Sequence, residues 1–412
     1  MGTPTVAATG SAARLPVLFA LRSRGFRLLW TSSLLGQMGR WMEVVVLGWL
    51  VLELTNSPLQ VALVGFFRWT PSAVLGAFTG MLSDRMGRKR IVIIGAVLAT
   101  SASGAVTVLV LSGLAQTWHI FVLSFILGTY WALDFPARRA LFRDYLDPAH
   151  VVSALSLETL GGTISRIVGP IVGGSLISLV GVGGASIGVA TVFFLQLLVH
   201  VALPRPLRTT ISQPGSLLHE LLEGVRYARR SQVIVGVLLV TILMNTLVLP
   251  VHQLFPVFAR DTLQVGPTLL GLLMASEGVG TMIGSAVLAA ARQVKRSGAV
   301  FALGALGLIV FILLFSLSTW YAVSLLLLFV AGIGLAAFTT LQSALILLGT
   351  TDEMRGRVLG LLSLCIGTQF LGFALMGALA AWLSTPSAVA ASAALGAVLL
   401  LLLMGTNRVL RS

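Results

Sequence analysis

The chain contains the charged stretch Gly80-Met-Leu-Ser-Asp84-Arg85-Met-Gly87-Arg88-Lys89-Arg90, which lies between two long apolar runs. One apolar run ends near Leu82 and the next begins at Ile91, so the stretch predicts a short loop between two membrane spans. Asp84 can accept hydrogen bonds from the free N–H groups of the second span, where the helix dipole favours an anion. Gly80 and Gly87 permit close backbone approach or a left-handed turn. The basic residues are expected to hold the loop on the cytoplasmic side.

The composition places most of the chain in a membrane. Of 412 residues, 57% are hydrophobic and only 10% are charged, whereas a soluble domain carries about 25% charged residues. A bilayer span needs about 20 apolar residues. Twelve such runs are predicted, at residues 28–52, 59–82, 91–113, 118–136, 152–180, 185–203, 232–257, 268–290, 299–317, 320–348, 358–383 and 387–405. The fold class predicted from them is an all-α integral membrane protein.

The basic residues indicate the orientation of these spans. Of the 27 Lys and Arg residues, 23 fall on one side, Arg260 falls on the other, and three lie inside spans. By the positive-inside rule both termini are expected in the cytoplasm, in a multi-pass protein of the inner (plasma) membrane. The net charge of +14 therefore reflects short cytoplasmic loops and gives no indication of nucleic-acid binding.

The longest break between spans, from Pro204 to Arg230, divides the twelve spans six and six. Within it, Leu and Val residues recur on one helical face, which predicts an amphipathic helix on the cytoplasmic membrane surface or a plain solvated linker helix. The predicted parts are an N-terminal tail (1–25), a six-helix bundle (26–203), a linker (204–231), a second six-helix bundle (232–405) and a C-terminal tail (406–412). Two parallel six-helix repeats are an arrangement that transporters use.

Seven charged residues lie inside the predicted spans. A lone charge at mid-bilayer costs roughly 2.5–3.5 kcal/mol, so these side chains are expected to face a central cavity or one another. They are Arg40, Glu43, Arg68, Asp134, Glu158, Arg166 and Glu277. Arg40 and Glu43 share one helical face, as do Glu158 and Arg166.

Two interpretations of these charges remain open. Burial disfavours an ionised carboxylate, which can make it a proton carrier, and Glu43 and Glu158 are the first candidates. Glu277 has no cation near it in sequence, which favours a titrating role there as well. The alternative is that the charges are structural ion pairs. Arg68 is expected to be a structural partner, and Asp134 is expected to pair with Arg138 at i+4.

Two motifs resemble signatures of the major facilitator superfamily. Residues 80–90 resemble the G-x-L-a-D-r-x-G-r-k signature between helices 2 and 3, where the family's Asp contacts the other half of the protein and favours the outward-open state. The run Gly169-Pro170-Ile-Val-Gly173-Gly174 resembles the G-x-x-x-G-P-x-x-G-G signature of antiporters, with Ser165 in place of the first glycine. Small residues allow close helix packing, and a proline kinks a helix.

Further stretches look like the transmembrane secretion effector branch of the drug:H⁺ antiporters, which holds siderophore and macrolide exporters. They are Phe26-Arg-Leu-Leu-Trp30, Leu54-Thr-Asn-Ser-Pro58, Phe135-Pro-Ala-Arg-Arg-Ala140 and Arg355-Gly-Arg-Val358. The resemblance implies two pseudo-symmetric bundles and cavity-lining positions for Arg40, Glu43, Asp134, Glu158, Arg166 and Glu277. It also implies proton-coupled export of a hydrophobic or amphipathic small molecule by a monomer.

Other functions receive less support from the sequence. There is no P-loop pattern for ATP, no nucleophile elbow and no H-E-x-x-H pattern, so no enzyme activity, cofactor or metal is expected. Two alternatives stay open. One is an importer or facilitator of the same fold, and the other is a non-transporting sensor or the permease subunit of an ATP-driven complex.

Overall fold

The computed structural model describes residues 20–147, 150–205, 217–291 and 296–407, with the side chains of residues 75–85, 217–221 and 352 excepted. Helices account for nearly all of this part of the chain. Their bounds are α1 Arg24–Thr55, α2 Pro58–Met86, α3 Arg88–Leu111, α4 Thr117–Tyr145, α5 Val151–Val201, α6 Leu217–Ala228, α7 Gln232–Thr262, α8 Pro267–Ala290, α9 Ser297–Leu317, α10 Tyr321–Leu348, α11 Asp352–Gly367 with Gln369–Trp382, and α12 Thr385–Thr406.

These helices provide the twelve predicted spans. In the described ranges, nine helices are long and apolar enough to cross a membrane. One of the nine, α5, has 51 residues and contains two spans, because the chain turns at Gly181, where φ is 72°. Helices α1 and α2, of 32 and 29 residues, complete the set. The predicted all-α membrane fold is confirmed.

The spans form two pseudo-symmetric six-helix bundles, α1–α5 and α7–α12. In the first bundle α1 packs on α5, and α4 packs on α2 and α3; in the second, α10 packs on α8 and α9. The bundles meet along α5 with α8 and along α2 with α11. Large apolar side chains such as Leu179, Val108 and Trp382 are exposed on the outside, as a lipid-facing surface requires.

The linker contains the predicted helix, α6, which packs against the start of α11. Glu223 forms an ion pair of 2.6 Å with Arg357, and a Cβ on Gly224 would lie 3.2 Å from the carbonyl oxygen of Arg357. Part of the polar face of α6 therefore contacts protein. Residues 206–216 of the predicted linker, and most of both predicted tails, lie outside the described residues.

The two bundles are closed at one end and open at the other. Near the end of the first span of α5, a Cβ on Gly174 would lie 2.9 Å from the carbonyl carbon of Pro267 in α8. Near the start of α5, the two helices diverge around a cavity of about 500 Å³, whose lining includes Leu155, Thr159 and Ser285. Arg166 and Glu277 lie between these two ends, whereas Glu158 lies at the level of the cavity.

Candidate transport site

Glu43 pairs with Arg68, and not with the neighbouring Arg40. The ion pair joins α1 to α2, and both side chains are buried, which agrees with the structural role expected for Arg68. The second carboxylate oxygen of Glu43, Oε1, has no hydrogen-bond partner among the described residues. Glu43 also lines a cavity of about 10 Å³ together with Ser103 and Ser186, which is room for about one water molecule.

Asp134, Arg138 and Glu158 form a second buried group, which we call the acidic triad. The predicted i,i+4 pair is confirmed, with Arg138 Nε 2.8 Å from Asp134 Oδ2. The same guanidinium also contacts Glu158, so Glu158 pairs with α4 and not with Arg166 on its own helix. Ser33 donates a hydrogen bond to Glu158 Oε2 over 2.7 Å. Two carboxylates thus share one guanidinium in a site whose three side chains are 1–5% exposed.

A histidine that the sequence did not single out lies beside the acidic triad. His200, at the end of α5, is fully buried, and its Nε2 is 4.0 Å from Asp134 Oδ1. Within the described ranges, both ring nitrogens and that carboxylate oxygen lack hydrogen-bond partners. A lone histidine near a span end looks like an interfacial residue in sequence, and only the helix packing shows its position.

Glu277 connects the two bundles. Its Oε2 is 3.0 Å from Arg166 Nη2 on α5, and its Oε1 is 2.8 Å from His252 Nε2 on α7. The sequence around Glu277 shows no cation because both partners come from other helices. Glu277 is buried, whereas the side chains of Arg166 and His252 are each 21% exposed. These three side chains therefore lie at the edge of the space that solvent can reach.

Arg40 lies among tryptophans. Its Cζ is 3.9 Å from the ring centroid of Trp131 on α4, 5.7 Å from that of Trp69 on α2 and 5.9 Å from that of Trp41 on α1. Cations within about 6 Å of an indole centroid are attracted to the ring face. Trp41 is also 5.3 Å from Arg166 Cζ. We call Arg40, Trp41, Trp69 and Trp131 the aromatic group. Through Trp41 this group reaches Arg166, whose ion pair with Glu277 joins the bundles.

The family model for transmembrane secretion effectors matches residues 17–411 of the chain. The chain belongs to the transmembrane secretion effector family of the major facilitator superfamily. Relatives of the chain include an uncharacterized MFS-type transporter, YfiS, from Bacillus subtilis, 26% identical over 87% of this chain and 88% of the relative. The multidrug efflux pump Tap of Mycobacterium tuberculosis is 28% identical over 87% of each chain. Macrolide efflux protein A of Streptococcus pyogenes is 26% identical over 57% of this chain and 59% of the relative.

Solved structures show the same fold. A bacterial homologue of the human lysosomal transporter Spinster, in an inward-facing and unoccupied conformation, superposes with a TM-score of 0.70 at 15% identity, over 96% of each chain. A peptide transporter of the POT family gives a TM-score of 0.77 at 14% identity, over 94% of this chain and 95% of the other. At such identities the likeness concerns the fold alone.

In this transmembrane secretion effector the glycines of α5 face two neighbours. A Cβ on Gly169 would lie 2.6 Å from Trp41 Cβ, and one on Gly173 would lie 3.0 Å from the Met42 carbonyl oxygen, both on α1. Gly174 faces α8 instead, where a Cβ on Gly271 would lie 2.9 Å from the Pro170 carbonyl carbon. The motif lets one helix approach its own bundle and the opposite bundle at once.

The loop motif at residues 80–90 is described only in part. Gly87 has φ of 85° and precedes α3, as the predicted left-handed turn requires. Arg88 Nη1 is 2.8 Å from Asp144 Oδ1 on α4. Gly80, Asp84 and Arg85 lie in α2, but their side chains and packing are outside the described residues, so the latch implied by the resemblance stays a prediction.

Proposed function

We propose that this transmembrane secretion effector exports a hydrophobic or amphipathic small molecule in exchange for protons, by alternating access between its two bundles. The names of Tap and macrolide efflux protein A support efflux as the direction. The charges buried in the spans support proton coupling. The acidic triad is the observation that carries the proposal.

The acidic triad is suited to hold a proton because its charges do not balance. Asp134 and Glu158 bring two negative charges and Arg138 one positive charge, and burying an uncompensated charge is costly. One proton on either carboxylate would neutralise the group. Glu43 is a weaker candidate than Glu158, because Arg68 alone balances its charge.

The open end of the molecule supports a route for the substrate. With the predicted orientation, the start of α5 lies toward the cytoplasm, so the cavity of about 500 Å³ opens inward. Small-molecule sites have volumes of about 300–1,000 Å³. The substrate enters there and reaches the level of Arg166 and Glu277. Rocking then opens the opposite end, and a proton taken up by the acidic triad from outside favours the return.

The protein acts as a monomer in the plasma membrane, with both termini in the cytoplasm. Residues 26–203 and 232–405 are the two moving units, and residues 204–231 tether them. The basic loop residues support this orientation. Cysteines introduced in the loops at Gln116 and Arg230 test it, because only the first should react with an impermeant maleimide in intact cells.

Transport in proteoliposomes tests the coupling. A labelled macrolide is the first substrate, and uptake driven by an imposed pH gradient is compared with exchange of labelled for unlabelled macrolide without a gradient. We expect Glu158→Gln and Asp134→Asn to reduce pH-driven uptake at least about tenfold, because the variants lose the proton site, while exchange persists.

Matched variants separate coupling from folding. Glu53→Gln removes a carboxylate that accepts a 2.6 Å hydrogen bond from Trp49 Nε1 at the opposite end, and it should leave both activities unchanged. pH-driven uptake that survives in Glu158→Gln, in Glu43→Gln and in the double variant would overturn proton coupling through these carboxylates. A pH gradient that drives the macrolide in the direction of proton flow, and not against it, would identify an importer instead.

A further inference from the structure

The guanidinium of Arg40 has N–H donors that find no acceptor in the part of the chain that the structure describes. No hydrogen bond joins its guanidinium to a described residue; its contacts there are with the faces of Trp41, Trp69 and Trp131. A guanidinium carries five N–H donors in a planar fork, and stacking on a ring leaves the edge of that fork free. Arg40 is partly exposed, so it is accessible to a small molecule.

The nearby carboxylates are already occupied. Glu43 contacts Arg68, and Glu277 accepts hydrogen bonds from both Arg166 and His252. The acidic triad contains its own guanidinium. None of these carboxylates contacts Arg40, whose guanidinium gives the group of Arg40, Trp41, Trp69 and Trp131 one positive charge.

The tryptophans add further donors to this group. The indole N–H groups of Trp30, Trp49 and Trp118 each donate a hydrogen bond. Those of Trp41, Trp69 and Trp131 have no acceptor among the described residues. The group thus presents flat apolar rings together with N–H donors. Its chemical complement is a flat molecule that bears acceptors and a negative charge.

We propose that Arg40, with Trp41, Trp69 and Trp131, forms a binding site for an aromatic organic anion such as an aryl carboxylate. The carboxylate would accept hydrogen bonds from the free edge of the guanidinium, and the aromatic body would pack on the indole rings. This substrate class rests on the proposed transport function, which it makes more specific.

Ligand binding tests the site without transport. The full-length protein in nanodiscs is titrated with 7-diethylaminocoumarin-3-carboxylic acid and with its ethyl ester, which share one ring system and differ by one charge. Fluorescence anisotropy gives both Kd values. We expect the wild type to bind the acid at least about tenfold more tightly than the ester, because charge-assisted hydrogen bonds favour the acid.

Three variants assign the preference to Arg40. Arg40→Gln should weaken binding of the acid by about 10- to 100-fold and leave the Kd of the ester within about threefold. Arg40→Lys keeps the charge without the planar fork, and should fall between the two. Arg229→Gln removes an exposed charge at the end of α6 and should bind as the wild type does. Ester binding reports whether each variant is folded.

The outcomes distinguish the site from the transport function. Equal binding of acid and ester by the wild type, no binding of the acid, or acid binding unchanged in both Arg40 variants would each overturn the anion site. pH-driven macrolide uptake would still support export in those cases. Conversely, an acid preference that depends on Arg40, in a protein that transports neither coumarin nor macrolide, supports the site and overturns the export proposal.

Discussion

The structure is open at the end where α5 begins and closed near Gly174. Replacing Gly174 by alanine should shift the protein toward the conformation that is open at the end near Gly174. Gly174 lies where α5 of the first bundle meets the start of α8 in the second, and its added Cβ would lie 2.9 Å from the carbonyl carbon of Pro267 and still nearer to the carbonyl oxygen. In the proposed rocking motion these two helices separate at this end. The clash therefore exists in one conformation only.

The structure sets the size of the effect. Ordinary Cβ contacts begin at 3.4 Å, so the two backbones must move apart by at least about 0.5 Å, and a gap of that size forfeits a quarter or more of each dispersion contact. Overpacking of this kind costs about 1–3 kcal/mol. Because the opened state does not bear that cost, the ratio of the two populations should change about 5- to 150-fold.

Spin labels report this ratio directly. Labels at Val180→Cys and Leu269→Cys, two exposed positions at the closed end of α5 and α8, are introduced after the only cysteine, Cys365, is changed to alanine. Pulsed electron–electron resonance then gives the distance distribution. We expect the longer distance to gain population in Gly174→Ala.

Two glycines provide matched controls. A Cβ on Gly280 would lie 2.9 Å from the carbonyl carbon of Phe329, the same separation, but both residues belong to the second bundle. Gly280→Ala should therefore lower thermal stability without moving the distance distribution. Gly104 has open space around it, and Gly104→Ala should change neither quantity. A distribution that is the same for Gly174→Ala as for Gly104→Ala would refute the reasoning.

Two further predictions concern other contacts. Arg260 Nη1 lies 3.1 Å from the Leu52 carbonyl oxygen and 2.8 Å from Asn56 Oδ1 at the end of α1. A partly exposed contact is worth about 1 kcal/mol, so Arg260→Gln should raise the population that is open at this end, relative to the closed one, about fivefold. An unchanged spin-label distance distribution would contradict this. Glu43→Gln should lower the free energy of unfolding by about 3–5 kcal/mol because it leaves Arg68 buried and unpaired. The double variant Glu43→Gln/Arg68→Met should regain part of that loss. A double variant less stable than the single one would contradict the pairing.

The sequence predicted the spans and one local pair, but not the pairs between helices. Apolar runs of about 20 residues are a property of the chain alone, and the Asp134–Arg138 pair follows from helical spacing. The partner of Glu43 depends on how α1 is rotated against α2, which spacing does not determine. For the same reason Arg40 and Glu43 share a face of α1 and yet contact different groups, one a set of tryptophans and the other Arg68.

Glu277 and His200 are further residues whose partners on other helices do not follow from the sequence. The partners of Glu277, Arg166 and His252, are 111 and 25 residues away in sequence, and Arg166 belongs to the opposite bundle. His200 meets Asp134 only because the second span of α5 packs beside α4. A prediction from one sequence identifies which charges need partners in a membrane, since the cost of burial is general. It does not identify the partners, because these depend on packing between helices.

The position of these contacts along α5 gives the proposed coupling a physical route. Glu158 in the acidic triad and Arg166 in the pair that joins the bundles are eight residues apart, which is about 12 Å along a helix, and Gly174 follows at the closed end. Neutralising the triad would weaken the hold of α4 on α5, while the Arg166–Glu277 pair and the glycine contacts fix α5 to α8. A proton at one end of α5 and a substrate anion near Arg40 and Trp41 would then act on the same helix. In the proposed cycle, the movement of α5 against α8 opens or closes the site.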